Sequence, residues 1–220
     1  MSGPPPITSF SRAERQVIQR CSTPARVQRW LNGLVYNYEP DGGTLRSFRQ
    51  VVPRRTVHCL EAALSAACIM EQHGYPPLLV DLHSIDNLDH VVFVYRKNGR
   101  WGSVARSRDP GLHGRKPVFA SLRALAMSYF DEYIDFTGRI YAYQTYDLRR
   151  LEPYDWRLSS KNRWLVSRAL IAQRGIRLKV ARGRVRPLRT KYKQYMALHG
   201  KKPLYYPGRS NWMPIPDEFK

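Results

Sequence analysis

Apolar positions recur every three or four residues through much of the first seventy residues and alternate thereafter. Ser11 is placed to cap a short helix through Arg20. Thr23 and Pro24 supply a cap and a first-turn proline for a second helix, Ala25 to Leu31, with Val27, Trp30, Leu31 and Leu34 on its buried side. Asp41-Gly42-Gly43 is a turn, and Leu45, Phe48 and Val52 predict one or two helical turns that Pro53 should end. Leu60, Ala63, Leu64, Ala67 and Met70 then keep helical spacing while Ala62, Ala66, Cys68 and Ile69 fill the remaining circumference. A helix apolar nearly all round is a buried one, so this helix is expected at the centre, stopped by Gly74, Pro76 and Pro77.

The period then changes to two. Leu78 to Leu82, Val91 to Tyr95 and Trp101 to Val104 read as strands, the last two joined at Asn98-Gly99, because a type I′ turn needs positive φ at both central residues. That turn opposes Lys97 to Arg100, and counting outward sets Ser107 opposite His90, with Ala105, Ser107 and Asp109 on the face of His90. Ser121 to Tyr133 returns to helical spacing, and Ile140 to Tyr146 alternates again. The segment from Gly111 to Pro117 is expected as a basic loop over the cleft, and Glu152 to Trp156 as a linker or docking strap. Beyond it, Ser160 would cap a helix ending at Gly175, Ile176 to Arg182 would form an exposed basic strand, and Thr190 would open a last helix closed by Gly200. The end from Pro203 to Pro216 is proline-fixed and extended.

Two residues stand out chemically. Cys59 falls in the first turn of the central helix, where unpaired N–H groups and the helix dipole favour an anion, and the thiolate is the reactive form of cysteine. Cys68, nine residues on, is about half a turn out of phase and should be inert packing. His90 opens the strand after the next connection and could serve the thiol as base. His58 adjoins the nucleophile but points elsewhere from a helix start, and reads as a helix-entry residue. Glu61 favours the dipole, and Gln50 reads as an exposed helix amide or as an oxyanion donor.

The runs H-C-L-E-A-A-L and D-H-V-V-F-V-Y-R-K-N-G-R-W-G-S-V, with P-P-L-L between them and L-A-M-S-Y-F later, resemble the transglutaminase-like superfamily, in particular a bacterial branch of small proteins, over residues 22 to 148. The resemblance implies an α+β, papain-like core whose central Cys-bearing helix packs on an antiparallel sheet, with Cys59 as nucleophile and His90 as base. The family carries an Asp four residues after its Trp; here that position is Ala105, which cannot orient an imidazole. Asp109 is the candidate third member, with Ser107 and Asp89 as alternatives and a slower Cys–His dyad as another.

Composition adds an asymmetry. The net charge is +20, and residues 161 to 220 hold 16 of the 37 basic residues against 2 of the 17 acidic ones. The basicity therefore belongs to an extension more than to the body, dividing the chain into a lead and first helix (1–21), a transglutaminase-like domain (22–150) and a basic, aromatic-rich extension (151–220). Basic residues interleaved with tyrosines neutralise phosphates and stack on bases, or hold an acidic protein or membrane surface. Three scattered cysteines give neither a disulfide framework nor a zinc pattern, which fits a reducing compartment. No apolar run reaches the ~18 residues of a membrane span, and the start lacks a signal h-region, so the expected residence is cytoplasmic. The implied activity is cysteine-dependent acyl transfer, as hydrolysis of a peptide or amide through a Cys59 thioester, with no metal or organic cofactor. The alternative keeps the fold and discards catalysis: a degenerate scaffold that binds a protein or nucleic acid through residues 159–220. Oligomeric state is not legible.

Overall fold

The computed structural model describes residues 3–135 and 138–199. In chain order its elements are α1 (Arg12–Arg20), α2 (Pro24–Asn32), β1 (Val35–Tyr36), α3 (Phe48–Arg54), β2 (Thr56–Val57), α4 (Cys59–Glu71), β3 (Leu78–Ser84), β4 (His90–Lys97), β5 (Arg100–Val104), β6 (Arg115–Phe119), α5 (Leu122–Met127), α6 (Phe130–Tyr133), β7 (Ile140–Asp147), α7 (Trp164–Ile171), β8 (Ile176–Arg177) and α8 (Arg182–His199). The local signals explain the early helices. Ser11 and Glu14 close a reciprocal capping box on α1, and the Thr23 hydroxyl accepts from the Arg26 N–H ahead of Pro24.

The fold is α+β. Six strands form one antiparallel sheet in the order β6-β5-β4-β3-β7-β8, and β1 pairs parallel with β2 beside it. β4 and β3 lie at its middle, where β-branched and aromatic residues can be buried on both faces. One face packs under α1–α4, with Leu79, Val91, Phe93 and Tyr95 against the alanine-lined α4. The other face, with Val80, Leu82, Val92 and Val94, is covered by α5, α6 and Leu188 of α8. α4 is buried from Leu60 to Glu71, as its all-round apolar circumference predicts.

The hairpin register holds where the turn chemistry dictates it: Asn98 and Gly99 have φ of 49° and 74°, and Lys97 opposes Arg100. It does not extend to His90. β5 stops at Val104, opposite Phe93, because the Ala105 N–H and C=O pair with the side-chain amide of Gln28 on α2 at 3.0 and 2.8 Å. Ser107 therefore does not sit across the ladder from His90.

Other expectations also change. The basic loop after Gly111 becomes β6 from Arg115, an edge strand, which is where Pro117 is tolerated without an N–H. The helix from Ser121 breaks into α5 and α6 where the Ser128 hydroxyl bonds back to the Leu125 carbonyl at 2.7 Å. α3 runs one residue past Pro53. Ser160 caps nothing; residues 159–163 are tied to the loop ahead of α3, through Ser47 Oγ to the Ser159 carbonyl and Asn162 to the Leu45 N–H, and α7 starts only at Trp164. The basic strand shrinks to Ile176–Arg177, and one helix, α8, replaces the piece expected from Thr190. The closing Gly200 and the proline-fixed end lie outside the described residues.

Segments expected as lead and extension contribute to the main core: Phe10, Ile18, Trp156, Val166 and Leu170 share one cluster with α4. No described helix is long and apolar enough to cross a membrane.

Candidate active site

Cys59 is the first residue of α4 and half-buried, with His58 as its N-cap. The strands β1 and β2 deliver this point: Tyr36 pairs with Val57, two residues before the thiol. Glu61 holds the arrangement together. Its fully buried carboxylate accepts from the His58 N–H at 3.1 Å, the Arg46 N–H at 3.0 Å and the Thr44 hydroxyl at 2.8 Å. It is thus a staple between the helix start and the 44–46 segment, beyond the dipole effect predicted for it. Gln50 caps α3, its Oε1 accepting from the Ser47 N–H at 3.1 Å, and the residues lining the Cys59 cleft do not include it.

The structure brings Cys59 and His90 into one cleft across the thirty-one positions that separate them. His90 is 3% exposed at the head of β4 and acts on the Cys59 thiol. Its Nε2 lies 2.8 Å from the Leu112 carbonyl oxygen, and its ring meets the edge of Tyr129 with centroids 6.0 Å apart. A carbonyl accepts only, so Nε2 carries a hydrogen and Nδ1 is the nitrogen left to take up the thiol proton.

The third position is therefore corrected. Ala105 is buried, and the acceptor that orients His90 is a backbone carbonyl rather than the Asp109 carboxylate. Asp109 is nearby in another role: its Oδ1 accepts from the Gly111 N–H at 3.0 Å and its carbonyl from the Leu112 N–H at 3.0 Å, building the short 3₁₀ turn that presents the Leu112 carbonyl. Ser107 supports the same turn, its hydroxyl accepting from the Asp109 N–H at 3.2 Å. Asp89 accepts from the Ser84 N–H at 2.7 Å.

Burial alone would raise the pKa of Cys59. The His58 and His90 imidazoles outweigh it and bring the thiol down to about 5, so the thiolate prevails at neutral pH. His58 thus acts on the thiol, which its sequence position did not foretell. It is a poor candidate for the proton shuttle all the same, because Nδ1 already accepts from the Leu60 N–H at 3.2 Å and Nε2 lies 2.9 Å from the Thr44 carbonyl oxygen. Cys68 behaves as predicted: it is fully buried and its pKa is pushed well up, chiefly by burial.

Cys59, His58, His90 and Asp109 line a cleft of ≈ 260 Å³. Tyr36 and Tyr133 line it too, and burial, then the charge of Cys59, raises the pKa of both phenols, keeping them as O–H donors beside the sulfur. Neither tyrosine was singled out from the sequence. Tyr36 sits on a two-residue strand too short to leave a periodic signal.

A scan of protein-family models finds no match to this chain, and a search of curated proteins finds no significant match.

Proposed function

We propose that the protein is a cysteine-dependent acyl-transfer enzyme of the transglutaminase-like, papain-like type, hydrolysing a peptide or amide. The observation that carries this reading is that Cys59, at the mouth of α4, and His90 line one cleft, with one ring nitrogen of His90 held by the Leu112 carbonyl. In the reaction, His90 holds the thiol proton while the Cys59 sulfur attacks the amide carbonyl carbon. The oxyanion is met by the Cys59 N–H at the helix mouth and by phenolic O–H groups in the cleft. His90 gives its proton to the leaving amine, then takes one from water as the water opens the thioester, releasing the acid and restoring the thiol.

A neutral carbonyl steadies an imidazolium less than a carboxylate does, so turnover slower than that of a full triad is expected. Incubation with activated amide and ester libraries, followed by peptide mass spectrometry, should find an acyl adduct on Cys59 that is absent from Cys59→Ala. A folded protein that forms no adduct with any member would leave the scaffold reading.

Asp109 provides a sharper check on the same site. Asp109→Ala removes the acceptor of the Gly111 N–H and should lower kcat by about tenfold or more through misplacement of His90. Asp109→Asn retains an amide oxygen at that point and should restore most of the rate with an unchanged pH profile. Equal damage from both variants would make the carboxylate charge itself essential and return Asp109 to the triad.

The binding reading draws on α8, where Arg186 is exposed. Part of that basic surface is engaged internally, however: Arg184 pairs with Asp131 at 2.7 Å, and Arg189 donates to the Asp135 and Gly138 carbonyls.

A further inference from the structure

Two buried side-chain oxygens without a hydrogen-bond partner belong to one patch, Asp81 Oδ1 and Gln144 Oε1, and His83 Nε2 stands beside them against Asp81 Oδ2. Such oxygens are costly to bury, so the pair asks for a ligand. Asp81 of β3 and Gln144 of β7 are cross-strand partners, and His83 lies two residues further along the same face of β3. The amide of Gln144 cannot be turned to relieve the patch, because its Nε2 already donates to the Leu170 carbonyl at 2.6 Å and to Asp81 Oδ2 at 3.2 Å.

Asp81 is 3% exposed, and its Oδ2 lies 3.4 Å from His83 Nε2. Asp89, on the loop ahead of His90, brings a third donor, and one ligand atom from each of Asp81, His83 and Asp89 lies within 4.8 Å of the others. Ligands on one ion stand at most about 4.4 Å apart at bond lengths near 2.2 Å, so a small movement of the exposed Asp89 side chain closes the set. All three residues open on a cavity of ≈ 940 Å³ next to α7.

We propose that Asp81, His83 and Asp89 form a binding site for a divalent first-row transition ion, with zinc the best match. One imidazole nitrogen and two carboxylates suit zinc or its neighbours better than magnesium or calcium, which take oxygen ligands alone. Arg174 and Arg177 line the same cavity and oppose a cation, but the two carboxylates stand closer to the ion and offset them. A proton on His83 is the competing occupant. It answers to Asp81 Oδ2 and leaves Oδ1 unsatisfied, whereas an ion engages the carboxylate directly. The ion would pin the 85–89 loop to β3 and so steady the strand start that carries His90; that consequence rests on the acyl-transfer reading, while the binding does not.

The test is calorimetric titration of zinc chloride into the full chain carrying Cys59→Ala, which removes the thiolate that could bind zinc together with His58 and His90. One equivalent should bind, calcium chloride should not, and the melting temperature should rise with zinc. Asp81→Asn and His83→Gln should each abolish that equivalent. Asp89→Asn keeps an acceptor for the Ser84 N–H, so the loop stays folded, and it should weaken binding by at least about tenfold. Absence of binding to the folded Cys59→Ala protein, or an equivalent that persists unchanged in Asp89→Asn and His83→Gln, overturns the site. Neither outcome touches the acyl-adduct experiment, so the two readings fail separately.

Discussion

Iodoacetamide should alkylate Cys59 at a rate that reaches half its plateau near pH 5, and His90→Ala should move that midpoint up by two units or more. The sign follows from the charges. A thiol pulled down to about 5 is ionised at every pH above that value, and the alkylation rate tracks the thiolate. Removing His90 takes away one of the two imidazoles that hold the thiol down while the burial that opposes ionisation remains. With the midpoint two units higher, near 7, the thiolate fraction at pH 6 falls to about 9%, roughly tenfold slower. Cys21 and Cys68 are buried, with pKa values raised by burial first, and should stay unmodified in the folded protein.

His58→Ala separates the two imidazoles. It should raise the midpoint too, but it also strips the Leu60 N–H of its cap at a cost of about 1 kcal/mol. Turnover should survive in part in His58→Ala and fall by at least about a thousandfold in His90→Ala, because only His90 has a nitrogen left for the proton. A wild-type midpoint near 8.5, or one indifferent to His90, would sink the ion-pair description of the site.

Arg157→Ala should cost about 3–5 kcal/mol of stability, the largest effect expected of a substitution outside the cleft. Arg157 grips Glu71 at the far end of α4 with two bonds, Nε to Oε2 at 2.7 Å and a terminal nitrogen to Oε1 at 2.6 Å, and its guanidinium stacks on Trp156 at 4.2 Å. Both side chains are buried, 7% and 5% exposed, so deleting one partner strands a charge in the core. The Arg149–Asp147 pair is chemically alike but 35% and 24% exposed, and there the same truncation should cost under about 1 kcal/mol.

Chemical denaturation decides between these values, and the melting temperature of Arg157→Ala should drop by roughly 6–20 °C. Replacing both partners together, Glu71→Met with Arg157→Leu, should recover most of the loss because no charge is left unpaired. A single-variant loss below about 1 kcal/mol would mean that α4 is not anchored through this pair.

What could be read in advance followed local chemistry. Ser11 ahead of its helix, Thr23 with Pro24, and Asn98 with Gly99 are patterns in which neighbouring residues satisfy each other, so their meaning does not wait on the rest of the chain. The continuous apolar circumference of α4 likewise forced it into the centre, and phase alone turned Cys68 away from Cys59. The Cys–His pairing was legible through the order of elements. Misplaced boundaries arose where distant groups intervened: Gln28 ended β5, and the ties at Leu45 and Ser47 delayed α7 to Trp164.

The residues by themselves determined an α+β chain with a buried helix headed by a thiol, a histidine at a strand start, and a basic far end, because periodicity and charge are properties of the string. Tertiary structure alone decided which acceptor holds His90, that Tyr36 and Tyr133 share the cleft, and that Asp81, His83 and Asp89 converge. The physical reason is plain in the Leu112 carbonyl: every residue carries one, so no letter of the sequence marks it, and only the folding of a distant turn brings that oxygen to 2.8 Å from the ring.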